Sequence, residues 1–232
     1  MPTHALSLSL QIQTISKNDI TMNDLKHAFA EKLLGIKAIK LEEGDSLVQT
    51  EITDGDCDII IATRNGLAVR FDEKEVRSAG RDTMGVKGVR LDEGDEVVSM
   101  TLVKPGDKIL TISENGYGKV SDVDSYTRTH RGARGVITLK TTERNGGVVA
   151  VRMVNKEMGL ILTSQSGMVI RMQVSDINEY GRNTAGVRIM NLREGDKVVA
   201  VHPVPMVEQG PVETETAPSS EGSDAGGASD GQ

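Results

Sequence analysis

The chain has 232 residues, a formal net charge of −7, 25 glycines, no tryptophan, two phenylalanines and three tyrosines, so its core must be built from Val, Ile, Leu and Met. One cysteine, Cys57, excludes an internal disulfide framework and points to a reducing compartment. No apolar run approaches the roughly 18 residues that suggest a membrane span.

The N-terminal stretch "ALSLSLQIQTIS" alternates apolar and polar residues, a pattern that predicts a strand. It lacks the basic n-region and continuous apolar h-region of a signal peptide. The best helix candidate follows at "TMNDLKHAFAEKLLG", with Thr21 or Asn23 as its cap; a loop and short turn is the alternative. Residues 1–34 thus stand apart from what comes next.

From Gly35 onward the chain repeats itself every 50 or 51 residues. Gly35, Gly85, Gly135 and Gly186 open the copies "GIKAIKLEEGD", "GVKGVRLDEGD", "GVITLKTTERNGG" and "GVRIMNLREGD". Farther into each unit "DIIIATRNGLAVRF", "KILTISENGYGKV" and "LILTSQSGMVIRM" align, with turns at Asn65-Gly66, Asn115-Gly116 and Ser166-Gly167. Asn-Gly between apolar runs predicts a hairpin, here expected to use a two-residue type I′ turn. The units span 35–84, 85–134, 135–185 and a partial 186–205. Each is expected to hold about four short strands and no long amphipathic helix. Four strands at a period near fifty predict an all-β, propeller-like array of four-stranded blades.

Residues 206–232 carry six acidic residues and no Lys or Arg, which leaves 27 basic against 28 acidic residues in 1–205. Ser, Gly, Pro and Glu with little apolar content cannot offset the entropy of ordering, so a disordered tail is expected. It is either a solubilising tail or an anionic strip that competes with a polyanionic ligand for a basic surface.

Aligning the units also aligns their cations. Arg81, Arg131 and Arg182 share one place, and Lys37, Lys87 and Arg188 another, with Ile137 interrupting the second series. Arg70 and Arg171 match each other, Lys119 falling one place away, and "YTRTHRGARG" adds Arg128 and Arg134. Periodic cations on a radially repeating fold would make a charged band around its rim. The alternative is ordinary solvated charge, or arginines bonding loop carbonyls within each blade. Glycine beside these arginines would let a phosphate come close to the backbone.

Other chemistry is not supported. "DGDCD" at 54–58 begins like a calcium loop, but its sixth and twelfth positions are Ile59 and Asn65. "GYGKVS" lacks phosphate-loop spacing, and His4, His27, His130 and His202 have no metal-ligand spacing. Cys57 has no nucleophile motif around it and is expected to be a buried structural thiol.

"YTRTHRGARGVITLKTTERNGGVVAVRMV", followed by "GLILTSQSGMVIRMQVSDINEYGRNTAGVRIMNLREGDKVVAV", resembles the last blades of the C-terminal domain of DNA gyrase A proteins. "LLGIKAIKLEEGDSLVQTEITDGDCDIIIATRNGLAVRFDEKEVRSAGRDTMGVKGVRL" is similar to its middle blades, and the likeness covers about residues 21–204. The corresponding protein of topoisomerase IV has a related domain. The resemblance implies a β-pinwheel, whose blades exchange hairpins with their neighbours. It implies a basic rim that binds and wraps duplex DNA, here through Arg70, Arg81, Lys87, Arg128, Arg131, Arg134, Arg171, Arg182 and Arg188. It further implies a cytoplasmic protein whose partners are DNA, the rest of gyrase A and gyrase B. ATP and magnesium would serve the holoenzyme, with no cofactor in this chain.

The chain departs from the family pattern in three ways. It has three full units and a partial fourth where the family has about six. The first-blade box is absent, "THRGARG" at 129–135 being a degenerate echo of it. The catalytic tyrosine domain is missing: that tyrosine follows an arginine, whereas Tyr117, Tyr126 and Tyr180 follow Gly116, Ser125 and Glu179. The chain is therefore expected not to cleave DNA by itself. Stopping a radial array early leaves open sheet edges, which invite an oligomer or the remainder of gyrase A. A propeller-type protein-interaction scaffold without DNA binding is the alternative function.

Overall fold

The structure, a computed structural model, describes residues 39–80 and 83–205. The expected N-terminal strand, the helix candidate, Lys37, Arg81 and the acidic tail lie outside the described residues.

Three antiparallel hairpins form the frame. They are β1 (Asp58–Thr63) with β2 (Leu67–Asp72), β4 (Lys108–Ser113) with β5 (Tyr117–Asp122), and β8 (Gly159–Ser164) with β9 (Val169–Gln173). Each turn lies where Asn-Gly or Ser-Gly predicts it, yet its geometry differs from the expected two-residue turn. Three residues separate the strands of the first two hairpins, and the glycine amide closes the loop onto the last strand residue, as from Gly66 N–H to the Thr63 carbonyl at 3.0 Å. Gly66, Gly116 and Gly167 have φ of 86°, 78° and 86°. A loop ending on a left-handed glycine bulge explains the strict glycine better than the asparagine before it.

Each hairpin is then flanked by strands from later units. The long strand β3 (Val97–Val103) pairs with β1, and the two-residue β6 (Val136–Ile137) pairs with β2, giving the sheet order β3-β1-β2-β6. The second sheet repeats this with β7 (Val148–Val154) on β4 and β10 (Val187–Arg188) on β5, in the order β10-β5-β4-β7. In the third, β11 (Val198–Val204) pairs with β8, and β9 has no outer partner among the described residues. The unit at 135–185 does supply four strands, but β6, β7 and the β8–β9 hairpin lie in three different sheets. One blade therefore draws on three successive units.

The long strands face one another, β3 against β7 and β7 against β11, so they form the inner side of the array. The two-residue strands β6 and β10 form the outer edge. Alternation sorts side chains between sheets: Ile60 and Ala62 meet Ile109, Tyr126 and Val151 from the second blade, while Ile59 and Ile61 pack with Phe71, Val97 and Met100 on the other face. Leu110, Ile112, Leu160, Leu162 and Val201 fill the space between the second and third blades. Each hairpin ends in a 3-10 turn, at Glu73–Glu75, Val123–Ser125 and Val174–Asp176, which are the only helical turns among the described residues.

The opening glycines are explained by close backbone approach rather than by access for a ligand. Gly135 and Gly186 sit at φ of 83° and 72° against the hairpin strand they flank. A Cβ on Gly135 would lie 2.3 Å from the Ala68 carbonyl oxygen, and one on Gly186 2.6 Å from that of Gly118. Only glycine lets these segments reach β2 and β5.

Candidate nucleic-acid interface

The aligned cations fall into three groups once their partners are visible. The first serves the fold. Arg70 is 7% exposed; its Nε donates to Asp58 at 2.7 Å, and its Nη1 donates to the carbonyls of Val123 and Tyr126. Arg128 crosses from the next unit and places Nη2 2.7 Å from the same Asp58 and 2.9 Å from Asp72. In the second blade the same places carry Lys108, Val120, Asp122 and Glu179. There Lys108 pairs with both carboxylates, at 3.0 Å for Glu179. The charges are redistributed, but the edge contact between units is kept. Arg70 is thus engaged within the fold through Nε and Nη1.

The second group bonds loop carbonyls. Arg131 donates from Nε to the Glu75 carbonyl at 3.1 Å and from Nη1 to that of Lys87 at 3.3 Å. Arg182 repeats this on the carbonyls of Ser125 and Ile137, at 3.0 and 3.2 Å. Periodicity at this place thus follows from how one unit's loop is fastened to the previous blade. Lys119, buried in the second blade, goes further: its ammonium donates to the carbonyls of Gly181, Arg182 and Thr184 and to the Thr184 hydroxyl. Burial, with a smaller contribution from Arg182, pulls its pKa down to about 8.

The third group faces solvent. Arg134 is half exposed and holds Asp92 through Nε and Nη2, which keeps that carboxyl below its ordinary range. Lys87 and Arg171 are exposed, and neither side chain has an ion pair among the described residues. Arg171 is the third-blade counterpart of Arg70, but Gly159 stands where Asp58 would pair with it. Arg188 lies on the outer edge strand β10, with Nη2 2.9 Å from the phenol oxygen of Tyr117.

The same alignment holds two signals that the candidate residues did not include. Lys40, Arg90 and Lys140 occur five residues after successive opening glycines, and all three are exposed. Arg144 and Arg193 line the surface next to Tyr117 and β10. Arg90 and Lys140 follow the short outer segments, so exposed cations recur along the outer edge, Arg90 acting with Arg134 on Asp92.

Strand-exchanged four-stranded blades with a cationic outer edge define a β-propeller-like module of the pinwheel type. The family model described as "DNA gyrase C-terminal domain, beta-propeller" matches residues 34–54, 58–104, 107–155 and 160–205, and the chain belongs to this family. The DNA gyrase A protein of Clostridium acetobutylicum is 52% identical over 167 residues, and that of Ureaplasma parvum is 36% identical over 188 residues. These matches cover 72% and 81% of this chain but only 20% and 22% of those proteins, so the chain spans about a fifth of such relatives. A solved DNA gyrase A C-terminal domain superposes with a TM-score of 0.69 at 31% identity, covering 73% of this chain and 58% of that one. A DNA topoisomerase IV C-terminal domain gives 0.68 at 28% identity, covering 72% and 53%.

Proposed function

We propose that this chain is a DNA-binding module of a type II topoisomerase, gyrase A-like, that holds and bends duplex DNA along the outer edge of its blades. The observation that carries the reading is the recurrence of Lys87 and Arg188 at one position of the outer segments, both exposed and neither paired with a carboxylate among the described residues. Lys87, Arg90, Lys140 and Arg188 offer contacts to phosphates at intervals set by the repeat, without a built pocket for base edges. Such contacts position a duplex without reading its sequence. Bending 20–30 base pairs by 40–90° costs on the order of 1–6 kcal/mol, which several phosphate contacts must offset.

In this proposal the module works in the cytoplasm beside the rest of gyrase A and gyrase B. DNA cleavage, ATP and magnesium belong to those other parts. The edge of β9 that is uncovered among the described residues, where Val169 is 59% exposed, is where further strands of gyrase A or a second copy would add. The acidic segment 206–232 competes with DNA for the cationic edge.

The test is fluorescence anisotropy with a duplex of roughly 40 base pairs over a salt series, comparing the whole chain with one ending at Pro205. Steeply salt-dependent binding, tighter without the acidic segment, is expected. Folded protein that binds no duplex in either form would overturn the proposal.

A further inference from the structure

Next to β10 lies a cleft of about 340 Å³ lined by residues of three successive units. Tyr117 comes from the second hairpin, Arg144 from the turn before β7, and Arg188 and Arg193 from the segment 186–195. The Arg144 guanidinium carbon lies 5.1 Å from the centre of the Tyr117 ring, and that of Arg188 lies 5.4 Å away. Arg188 donates to the Tyr117 hydroxyl, and neither Arg144 nor Arg193 makes a side-chain ion pair among the described residues. Lys197 also lines the cleft, but its ammonium is engaged by Glu114 at 3.2 Å.

Asp196 is the one carboxylate in the lining. It is already taken by the amide and hydroxyl of Ser166, hydrogen bonds that hold its pKa down to about 2. Three guanidinium groups therefore converge on one concavity without a carboxylate partner of their own.

The repeat supplies an internal comparison. On the first blade Leu67, Ile137 and Thr142 stand at the repeat positions of Tyr117, Arg188 and Arg193. The hairpin and the outer segment correspond between the two blades, but the turn carrying Arg144 has one residue more: the Gly146 N–H bonds the Thr142 carbonyl, where the first blade closes its turn from the Asp95 N–H to the Asp92 carbonyl. All three positions differ together, neutral residues on one blade against an aromatic ring and two guanidinium groups on the other. Guanidinium is the side chain suited to planar, bidentate recognition of phosphate. The ring gives Arg144 and Arg188 a surface that limits their motion without neutralising them.

We infer that this cleft is a fixed seat for a backbone phosphate of the bound polynucleotide, with Arg144 and Arg193 as the contacting groups and Tyr117 positioning Arg144 and Arg188. The inference rests on the DNA-binding reading above and adds a defined anchor to it. Most outer-edge cations recur with the repeat, whereas among the described residues this site occurs on one blade. It would therefore fix where the duplex path crosses the array.

The test is the salt dependence of duplex affinity for the whole chain, for Arg144→Gln/Arg193→Gln, and for Tyr117→Leu/Arg188→Ile/Arg193→Thr. The second variant takes its three residues from the equivalent positions of the first blade. The seat holds one phosphate, and each lost phosphate contact lowers the slope of log affinity against log salt by about 0.9, so the double variant should lose roughly one unit. Slopes equal to wild type in both variants, with DNA still bound, would overturn the cleft alone. Absence of duplex binding by the unaltered chain would overturn the cleft together with the reading it rests on. Inorganic phosphate at constant ionic strength distinguishes the sources. Failure of millimolar phosphate to displace the duplex is expected, whereas displacement from wild type but not from the double variant would reassign the cleft to free phosphate.

Discussion

Arg70→Ala separates a fold-building arginine from a surface ligand, because the same sequence series contains both. The substitution removes a buried guanidinium that holds Asp58 at 2.7 Å and bonds two carbonyls of the next unit. Removing one partner of a buried pair costs about 3–5 kcal/mol. Arg128 still contacts Asp58 at 2.7 Å, so the lower end, roughly 3 kcal/mol, applies here. At about 2–4 °C per kcal/mol for a domain of this size, the melting temperature should fall by roughly 6–12 °C. Differential scanning calorimetry measures this, and anisotropy on the folded fraction should show an unchanged salt slope for duplex DNA. The triple change Asp58→Lys/Arg70→Val/Arg128→Glu installs the arrangement found in the second blade, where Lys108 serves two carboxylates, and should recover most of the loss. An Arg70→Ala protein that melts at the wild-type temperature but loses salt slope would refute the assignment and return Arg70 to the surface.

Three further predictions rest on the same geometry. Gly135→Ala places a Cβ 2.3 Å from the Ala68 carbonyl and should separate β6 from β2, whereas Gly106→Ala, at φ 86° with open space around it, should cost only about 1–2 kcal/mol; equal melting points would contradict this. Lys119 has a folded pKa of about 8 against an ordinary 10.5, so the folded state gives up its proton first. Stability should then rise with pH between about 8 and about 10.5, and that rise should be missing in Lys119→Met when urea midpoints are compared. Burial pushes the Cys57 thiol from 9.0 up to about 11, which reduces its thiolate about 100-fold, and its reaction with a disulfide reagent at neutral pH should be slower in folded than in urea-unfolded protein by at least about that factor. Equal rates would show the thiol to be accessible.

The hairpins, their order and the all-β array were legible because Asn-Gly turns and alternating apolar runs are local signals. The exchange of strands was not readable from residue spacing. A period of fifty residues is the same whether four strands close on themselves or are shared among three sheets, and only the family resemblance raised it. The cations show the same division. Spacing identified Arg131 and Arg182 as equivalent, but what they bond is decided by carbonyls of the preceding blade, 44–57 residues away in sequence. Arg70 and Arg171 are equivalent in sequence and opposite in setting, because Asp58 faces one and Gly159 the other. Arg144 and Arg193 escaped notice because they recur in no other unit.

Strand sharing also governs how such an array is made. When the hairpin 58–72 has left the ribosome, its inner strand still awaits residues 97–103 and its outer strand residues 136–137. Each blade must therefore hold an unfinished edge while the next two units are synthesised, and no pause at a repeat boundary releases a closed blade. Gene duplication meets the same constraint. Inserting one unit does not add one self-contained blade; it reassigns strands in three neighbouring sheets, so a new unit must suit all of them from its first generation.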